Sequence, residues 1–221
     1  MYAKDLIIDE IPPLKVSDTG EKALQWMDEY GVTNLPIVRG LEYLGLISEA
    51  DLLDMEQPEK QLGKQHLSLM RPYATEGQHY YEVLTILSTL KISLIPVLNE
   101  KEQYIGIVTL AHIMDNFAGM AFMRQSGGLI VLEINEKDYQ LSQIASIVES
   151  NDGKILSLYI SSPPDSAKLE VTLKVNREDL SAILQTFARY NYTVKASFHH
   201  SHFSDDDIKN RFDSLMNYIN M

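Results

Sequence analysis

The chain has 221 residues, no cysteine, and 19 basic against 31 acidic residues, which give a formal net charge of -12. Without cysteine it has no disulfide framework, no thiolate nucleophile and no cysteine-ligated metal centre. The acidic charge repels phosphate polymers and anionic lipid, so neither nucleic acid nor a membrane is expected as a partner. No apolar run approaches the roughly 20 residues of a membrane-spanning helix, and residues 1–13 lack the features of a signal peptide, so we expect a cytoplasmic protein.

An internal repeat organises the first half of the chain. Residues 31–55 align with residues 91–115, and in each copy an apolar-Pro-apolar triplet precedes a Gly-apolar-apolar-Ser/Thr motif. The motifs are Leu35-Pro36-Ile37 with Gly45-Leu46-Ile47-Ser48, and Ile95-Pro96-Val97 with Gly106-Ile107-Val108-Thr109. The two glycines stand 61 residues apart, so we expect two copies of one structural unit.

The first copy has the pattern helix, strand, strand, helix. Apolar residues at helical spacing predict a helix over Lys22–Tyr30, which Gly31 ends. Runs rich in Val, Ile and Leu predict strands at Asn34–Val38 and Tyr43–Ile47, and a second helix opens at Ser48.

The second copy repeats this order. It predicts a helix over Tyr81–Leu90, strands at Leu94–Leu98 and Tyr104–Val108, and a helix from Leu110. Between the copies, residues 56–65 are polar and contain one Pro and one Gly, which is the composition of a linker.

On these motifs the first half resembles a tandem pair of cystathionine-β-synthase-type (CBS) modules, at residues 1–60 and 61–122. The resemblance implies an α/β (α+β) fold in which the pair forms one pseudo-symmetric disc. In many members the clefts between the modules bind adenosine-containing ligands. It therefore implies AMP, ADP, ATP or S-adenosylmethionine as the regulatory ligand, with no catalytic cofactor.

The resemblance and the chemistry of the motifs select a set of candidate nucleotide-binding residues. Ser48 at a helix start would face phosphate, Asp51 would accept both ribose hydroxyls, and Gly45 would permit close backbone approach. The same Ser-x-x-Asp spacing is also that of a capping box, in which both side chains satisfy amides of their own helix. The full set is Leu35, Pro36, Gly45, Ser48, Asp51, Ile95, Pro96, Gly106, Thr109 and His112.

The second copy departs from the family pattern at His112, which stands where the ribose carboxylate is expected. Loss of a charge-assisted hydrogen bond costs roughly 1.5 to 3 kcal/mol, or about ten- to hundredfold in affinity. The second cleft is then empty, weaker or suited to a different ligand, and the alternative for His112 is a plain surface position on its helix. A phosphate would also need a cation, for which the candidates are Lys15, Arg39, Arg71 and Lys91.

The second half follows a different plan, after a boundary expected at Ser126-Gly127-Gly128. Alternating and helical apolar patterns predict the order βαββαβ over residues 128–200, which is the ferredoxin-like plan. The predicted elements are a strand at 129–135, a helix around 141–148, strands at 154–160 and 169–175, a helix opened by Asn176 and Asp179, and a strand from Thr193 to His199.

This plan and its length resemble an ACT module, a regulatory unit that commonly dimerises and often binds amino acids. In the members that bind amino acids a glycine follows the first strand, whereas here Tyr139 stands near that place and would fill the pocket. The sequence therefore favours a dimerisation role for this half. A CBS pair followed by an ACT-like module resembles the acetoin-utilisation-type accessory proteins.

The chain carries no recognisable catalytic motif: no nucleophile elbow, no phosphate-binding loop and no zinc-hydrolase pair. We therefore expect no catalytic residues. We also expect no metal site, because the three histidines near the C-terminus, His199, His200 and His202, lack a fourth ligand. Residues 204–221 predict a C-terminal helix with an apolar stripe. The sequence thus predicts a homodimeric, non-enzymatic regulator that senses an adenosine-containing nucleotide or related metabolite for an unidentified protein partner. The alternative is a dimeric scaffold with degenerate clefts.

Overall fold

The first unit of the protein repeats one arrangement of strands and helices. In the computed structural model, which describes residues 1–65, 69–162 and 167–199, the chain divides into two units between Ala118 and Gly119. The first module contains β1 (Leu14–Lys15), α1 (Gly20–Tyr30), β2 (Asn34–Arg39), β3 (Glu42–Ser48) and α2 (Glu49–Leu53). The second contains β4 (Ala74–Thr75), α3 (Tyr80–Leu90), β5 (Leu94–Leu98), β6 (Tyr104–Thr109) and α4 (Leu110–Ala118).

The predicted repeat is confirmed, with element ends within two residues of those expected. Each module also has a short first strand that the sequence pattern did not predict. β1 pairs in parallel with β2, and β4 with β5, so each module has a three-stranded sheet in the order β1-β2-β3 or β4-β5-β6. A strand of two residues is too short to show an alternating pattern.

Both ends of α1 are capped by the residues that flank it. Thr19 Oγ1 accepts a hydrogen bond from Lys22 N at 3.3 Å, and Gly31, with φ of 64°, donates its N–H to Asp28 O at 3.3 Å. Gly31 therefore ends the helix as predicted, since only glycine adopts this left-handed conformation at little cost. α3 ends in the same way at Lys91, with φ of 53°.

The segment that precedes each module packs against the other module. Before β1, Ile8 N donates to Ile107 O of the second module at 3.0 Å. Before β4, Met70 O accepts from Leu46 N of the first module at 2.8 Å. The two modules are therefore tied together by an exchange of equivalent segments.

Residues 56–65 were expected to be a polar linker, and this expectation is wrong for their second half. Leu62 is buried and begins a 3-10 helix, Leu62–Lys64. Its N–H donates to Asp18 O at 2.8 Å, and Gly63 N donates to Val16 O at 2.8 Å. The polar composition hid one buried leucine and the backbone hydrogen bonds that hold it in place.

Equivalent positions of the two modules contact each other directly. Thr33 N donates to Ser93 Oγ at 3.0 Å, and Glu42 forms an antiparallel bridge with Gln103. Residues related by a twofold rotation meet only near its axis, so a pseudo-twofold axis passes between these pairs. The pseudo-symmetric pair expected from the sequence is confirmed.

The second unit is a four-stranded antiparallel sheet with two helices on one face. The elements are α5 (Ala121–Arg124), β7 (Gly128–Asn135), α6 (Leu141–Glu149), β8 (Ile155–Ser161), β9 (Lys168–Val175), α7 (Ser181–Arg189) and β10 (Thr193–His199). The strand order, β10-β7-β9-β8, is that of the ferredoxin-like βαββαβ plan, as predicted. The core is formed by the inward-facing residues of the sheet with α6 and α7, and includes Leu132, Leu173 and Phe187.

Two details of the second unit differ from expectation. α7 begins at Ser181 rather than near Asn176, and Asp179 Oδ1 accepts a hydrogen bond from the first amide of the helix, Ser181 N, at 2.9 Å. The pair Gly127-Gly128, at which a boundary was expected, is buried, and a side chain at Gly127 would collide with Val175 O. The predicted helix at 204–221, with His200 and His202, lies outside the described residues. No helix within the described ranges is long and apolar enough to cross a membrane.

Candidate ligand-binding cleft

Ser48 and Asp51 form a capping box at the start of α2. Ser48 Oγ accepts from Asp51 N at 3.1 Å, while Asp51 Oδ2 accepts from Ser48 N at 2.9 Å and from Ser48 Oγ at 2.6 Å. The capping alternative is therefore what the structure shows at this junction. The Asp51 carboxylate is exposed, and its role toward a ribose stays a prediction.

The junction between β6 and α4 is equivalent to that between β3 and α2. Thr109 Oγ1 accepts from His112 N at 3.1 Å, as Ser48 Oγ does from Asp51 N. Leu110 N donates to Ser93 O at 3.0 Å, which is the counterpart of the bond from Glu49 N to Thr33 O at 3.0 Å. The imidazole of His112 thus stands in the place of the Asp51 carboxylate.

The two motif glycines accommodate the chain's own exchanged segments. A side chain at Gly45 would collide with Leu69, and one at Gly106 would collide with Ile7. Within the described residues, the group that lies close to each glycine is therefore a side chain of the same protein. The remaining predicted residues, Leu35, Pro36, Ile95 and Pro96, are buried in β2 and β5.

A cleft of about 610 Å³ opens beside the start of α4. Thr109 and His112 line it, so the structure brings these two predicted residues together there. The other eight predicted residues are not among its lining. The lining comprises Ile8, Glu10, Ile11, Tyr30, Gly31 and Val32, together with Ser93, Thr109, Leu110, Ala111, His112 and Asp115.

Ile8, Glu10 and Ile11 were missed because they come from the segment that crosses to the other module. The sequence does carry a signal that this segment belongs to the repeat. Ile7-Ile8 and Leu69-Met70 are apolar pairs at the same place before each copy, 62 residues apart. An alignment extended upstream of the motifs would have included both pairs in the repeat.

The cleft has an apolar wall and an acidic rim. Ile11 and Val32 are 7% and 8% exposed, and they offer an apolar surface to a flat ring. Glu10 and Asp115 carry exposed carboxylates, and Asp115 lies one turn after His112 on α4.

None of the four cations considered from the sequence lines this cleft. Arg71 instead donates from Nη2 to the backbone O of Tyr43 at 2.7 Å. Within the described ranges, no three His, Asp or Glu side chains lie close enough together to hold a metal ion.

The equivalent residues Tyr43 and Tyr104 are structural rather than reactive. Burial raises the pKa of both phenols, and Asp9 adds to the rise in the pKa of Tyr104. Tyr43 is 1% exposed and donates from its hydroxyl to Pro72 O at 3.0 Å. Both phenols therefore stay neutral across the physiological pH range.

In the second unit, Tyr139 packs partly buried against the hydrophobic core. This placement agrees with the expectation that its ring takes up space after the first strand. A cavity of about 270 Å³ lies next to this loop, and its lining includes Asn135, Asp138 and Tyr192.

The sequence model of the CBS domain matches residues 3–57 and 68–119. The first part of the chain is a tandem pair of CBS domains. The cleft beside α4 is therefore a cleft of the CBS pair, lined by residues from both of its domains.

The CBS pair is similar to part of an inosine-5′-monophosphate dehydrogenase from Methanocaldococcus jannaschii, at 25% identity over 113 residues. That match covers 51% of this chain and only 23% of the enzyme. Among solved structures, a CBS domain pair/ACT domain protein from Thermotoga maritima has 20% identity and a TM-score of 0.47, with 54% of this chain and 98% of that chain covered. A CBS pair in complex with 5′-methylthioadenosine and S-adenosyl-L-methionine has 24% identity and a TM-score of 0.42, with 54% and 97% covered.

Proposed function

We propose that this protein is a non-catalytic regulator whose CBS pair binds an adenosine-containing ligand in the cleft beside α4. The observation that carries the proposal is the lining of that cleft by residues of both modules around the junction that contains Thr109 and His112. An adenine ring would lie against Ile11 and Val32, and the ribose would lie near the start of α4. The volume of about 610 Å³ is that of a typical small-molecule site.

A ligand in this cleft can act as a signal because it contacts both modules. Val32 follows the end of α1, whereas Ala111 lies at the start of α4. A ligand that contacts both stabilises one arrangement of the modules relative to any other, and its differential affinity sets the size of the response.

His112 leaves the second junction without its expected carboxylate, and Asp115 supplies one from the next turn. The two residues are three apart on α4 and both line the cleft, so they lie on one face of the helix. We propose Asp115 as the acceptor of the ribose hydroxyls.

We propose that the second unit is ACT-like and mediates dimerisation or receives a second input, as in acetoin-utilisation-type proteins. Its βαββαβ order and the exposed aromatic side chains of its edge strands, Tyr159 and Phe198, support this proposal. The domains would then be 1–60, 61–122 and 128–200, followed by 204–221, and the dimer would act on a protein partner in the cytoplasm.

Calorimetric titration of the full chain with adenosine, AMP, ADP, ATP and S-adenosylmethionine tests the proposed function. Ala111 and Ala50 are equivalent exposed positions, the first inside the cleft and the second at the start of α2. Micromolar binding that Ala111→Trp abolishes and Ala50→Trp leaves intact is expected. Loss with Ala50→Trp or Asp51→Ala alone would place the ligand at the first junction and overturn the proposed location.

The second candidate function is a dimeric scaffold without a ligand. It is favoured by the capping box, in which Ser48 and Asp51 already satisfy each other. If none of the five ligands gives a heat of binding while the protein in the calorimeter is a folded dimer, the result would select the scaffold.

A further inference from the structure

The described side chains that line the cleft beside α4 include two carboxylates, Glu10 and Asp115, and no lysine or arginine. His112 is the one basic side chain among them. A phosphate placed here would lie near fixed negative charge with no permanent cation to offset it. The chain as a whole adds to this repulsion with its net charge of -12.

The N-terminus of a helix normally favours an anion, but α4 has few free backbone N–H groups at its start. The N–H of Leu110 donates to Ser93 O at 3.0 Å, and the N–H of His112 donates to Thr109 Oγ1 at 3.1 Å. Two of the first three amides of the helix are therefore used within the protein. The attraction of a helix N-terminus for phosphate depends on amides that point at the ligand.

We propose, on the basis of the function proposed above, that this cleft selects adenosine-type ligands whose tail is neutral or cationic and rejects those whose tail is a phosphate. The apolar wall holds the base, and the two carboxylates determine which charge on the ligand's tail is favoured. A sulfonium or ammonium group near Glu10 or Asp115 gains a charge-assisted contact, whereas each added phosphate charge weakens binding.

The test compares three ligands that share the base and ribose: adenosine, AMP and S-adenosylmethionine. We expect AMP to bind the full-length protein at least about tenfold more weakly than adenosine, and S-adenosylmethionine to bind at least as tightly as adenosine. A higher salt concentration should reduce the difference in affinity between AMP and adenosine, because salt screens exposed charges.

Glu10→Gln removes one carboxylate from the cleft, and Asp9→Asn is its matched control. Asp9 is an exposed acid next to Glu10 that does not line the cleft. The Glu10→Gln variant should tighten AMP binding several-fold and weaken S-adenosylmethionine binding, each taken relative to the affinity of the same variant for adenosine. The Asp9→Asn variant should change none of the three affinities.

The outcomes separate this inference from the proposed function. Binding of AMP as tightly as adenosine, or a gap that neither Glu10→Gln nor Asp115→Asn narrows, would overturn the charge selection and leave ligand binding in place. Failure of all three ligands to bind would remove the proposed function itself.

Discussion

Ile7 occupies the space in front of Gly106, so that no side chain fits at that position of β6. Leu69 occupies the equivalent space in front of Gly45 of β3. In each case the contact joins a strand of one module to the segment that precedes the other. The exchange of segments between the modules therefore requires glycine at this position of the repeated motif.

The variant Gly106→Ala should destabilise the CBS pair by about 2 to 3 kcal/mol, because the added methyl overpacks against Ile7. The backbone φ of 150° at Gly106 adds strain for any residue with a side chain. Urea unfolding followed by the fluorescence of Trp26, which lies in α1, measures the loss.

Gly77→Ala is the control for this variant, since Gly77 is exposed and an added methyl would meet nothing within 4 Å. Equal midpoints for Gly106→Ala and Gly77→Ala would show that the Ile7 contact is not needed for stability.

The cap of α2 gives a second prediction. Ser48→Ala removes the acceptor of Asp51 N, so we expect a loss of about 1 kcal/mol in unfolding free energy. Ser17 is exposed and outside any helix, and Ser17→Ala should change the stability by less than about 0.5 kcal/mol. Indistinguishable unfolding curves for the two variants would mean that the capping box contributes nothing.

The sequence predicts well the elements that are long enough to show a regular spacing of apolar residues. The strand Leu94–Leu98 matches at both ends, and Gly31 ends α1 as expected. β1 and β4 have two residues each and form only because β2 and β5 lie beside them. Local patterns carry no information about such pairings.

The candidate site shows the same limit. Thr109 and His112 were found because the motif repeats, whereas Glu10 and Asp115 have no motif and reach the cleft through the fold. The position of Glu10 depends on the crossing of the first segment to the second module. A single sequence does not fix that crossing, since either arrangement of the segments preserves the local pattern.

The Asp18 carboxylate gives a pH-dependent prediction. Burial raises its pKa, but hydrogen bonds from Lys22 Nζ at 2.8 Å and Lys15 N at 2.7 Å outweigh this and hold the pKa below 3.8. A lowered pKa in the folded state stabilises the protein above the unfolded pKa, and this stabilisation is lost as the pH falls through the folded value.

The variant Asp18→Asn should therefore be less stable than the parent by about 1 kcal/mol at pH 7, a value reduced for the solvent exposure of this pair. The difference between the two proteins should shrink as the pH falls below about 4. Thermal unfolding by circular dichroism at a series of pH values measures it, and a constant difference at all pH values would contradict the assignment to the carboxylate.

The sheet of the second unit exposes two aromatic side chains on the face opposite its helices, one on each edge strand, whereas Thr172 and Lys174 at the centre of that face are 9% and 5% exposed. Phe198 pairs with Leu129, and Thr172 pairs with both Val131 and Tyr159, which places these side chains on the same side. Tyr159 and Phe198 are 60% and 57% exposed. The ion pairs of Lys168 with Glu133 and of Lys195 with Glu170 border this face.

Exposed aromatic side chains with a charged border have the composition of a subunit interface, and we expect a second copy of the chain to cover Tyr159 and Phe198. Light scattering at micromolar concentration should give twice the chain mass of 25.1 kDa. The double variant Tyr159→Lys, Phe198→Lys should be monomeric, because unpaired charges at an interface core are costly. Leu53→Lys, at a position 68% exposed on α2, is the control and should stay dimeric. A monomeric parent protein would refute dimerisation, and a dimer that survives the double variant would place the interface elsewhere.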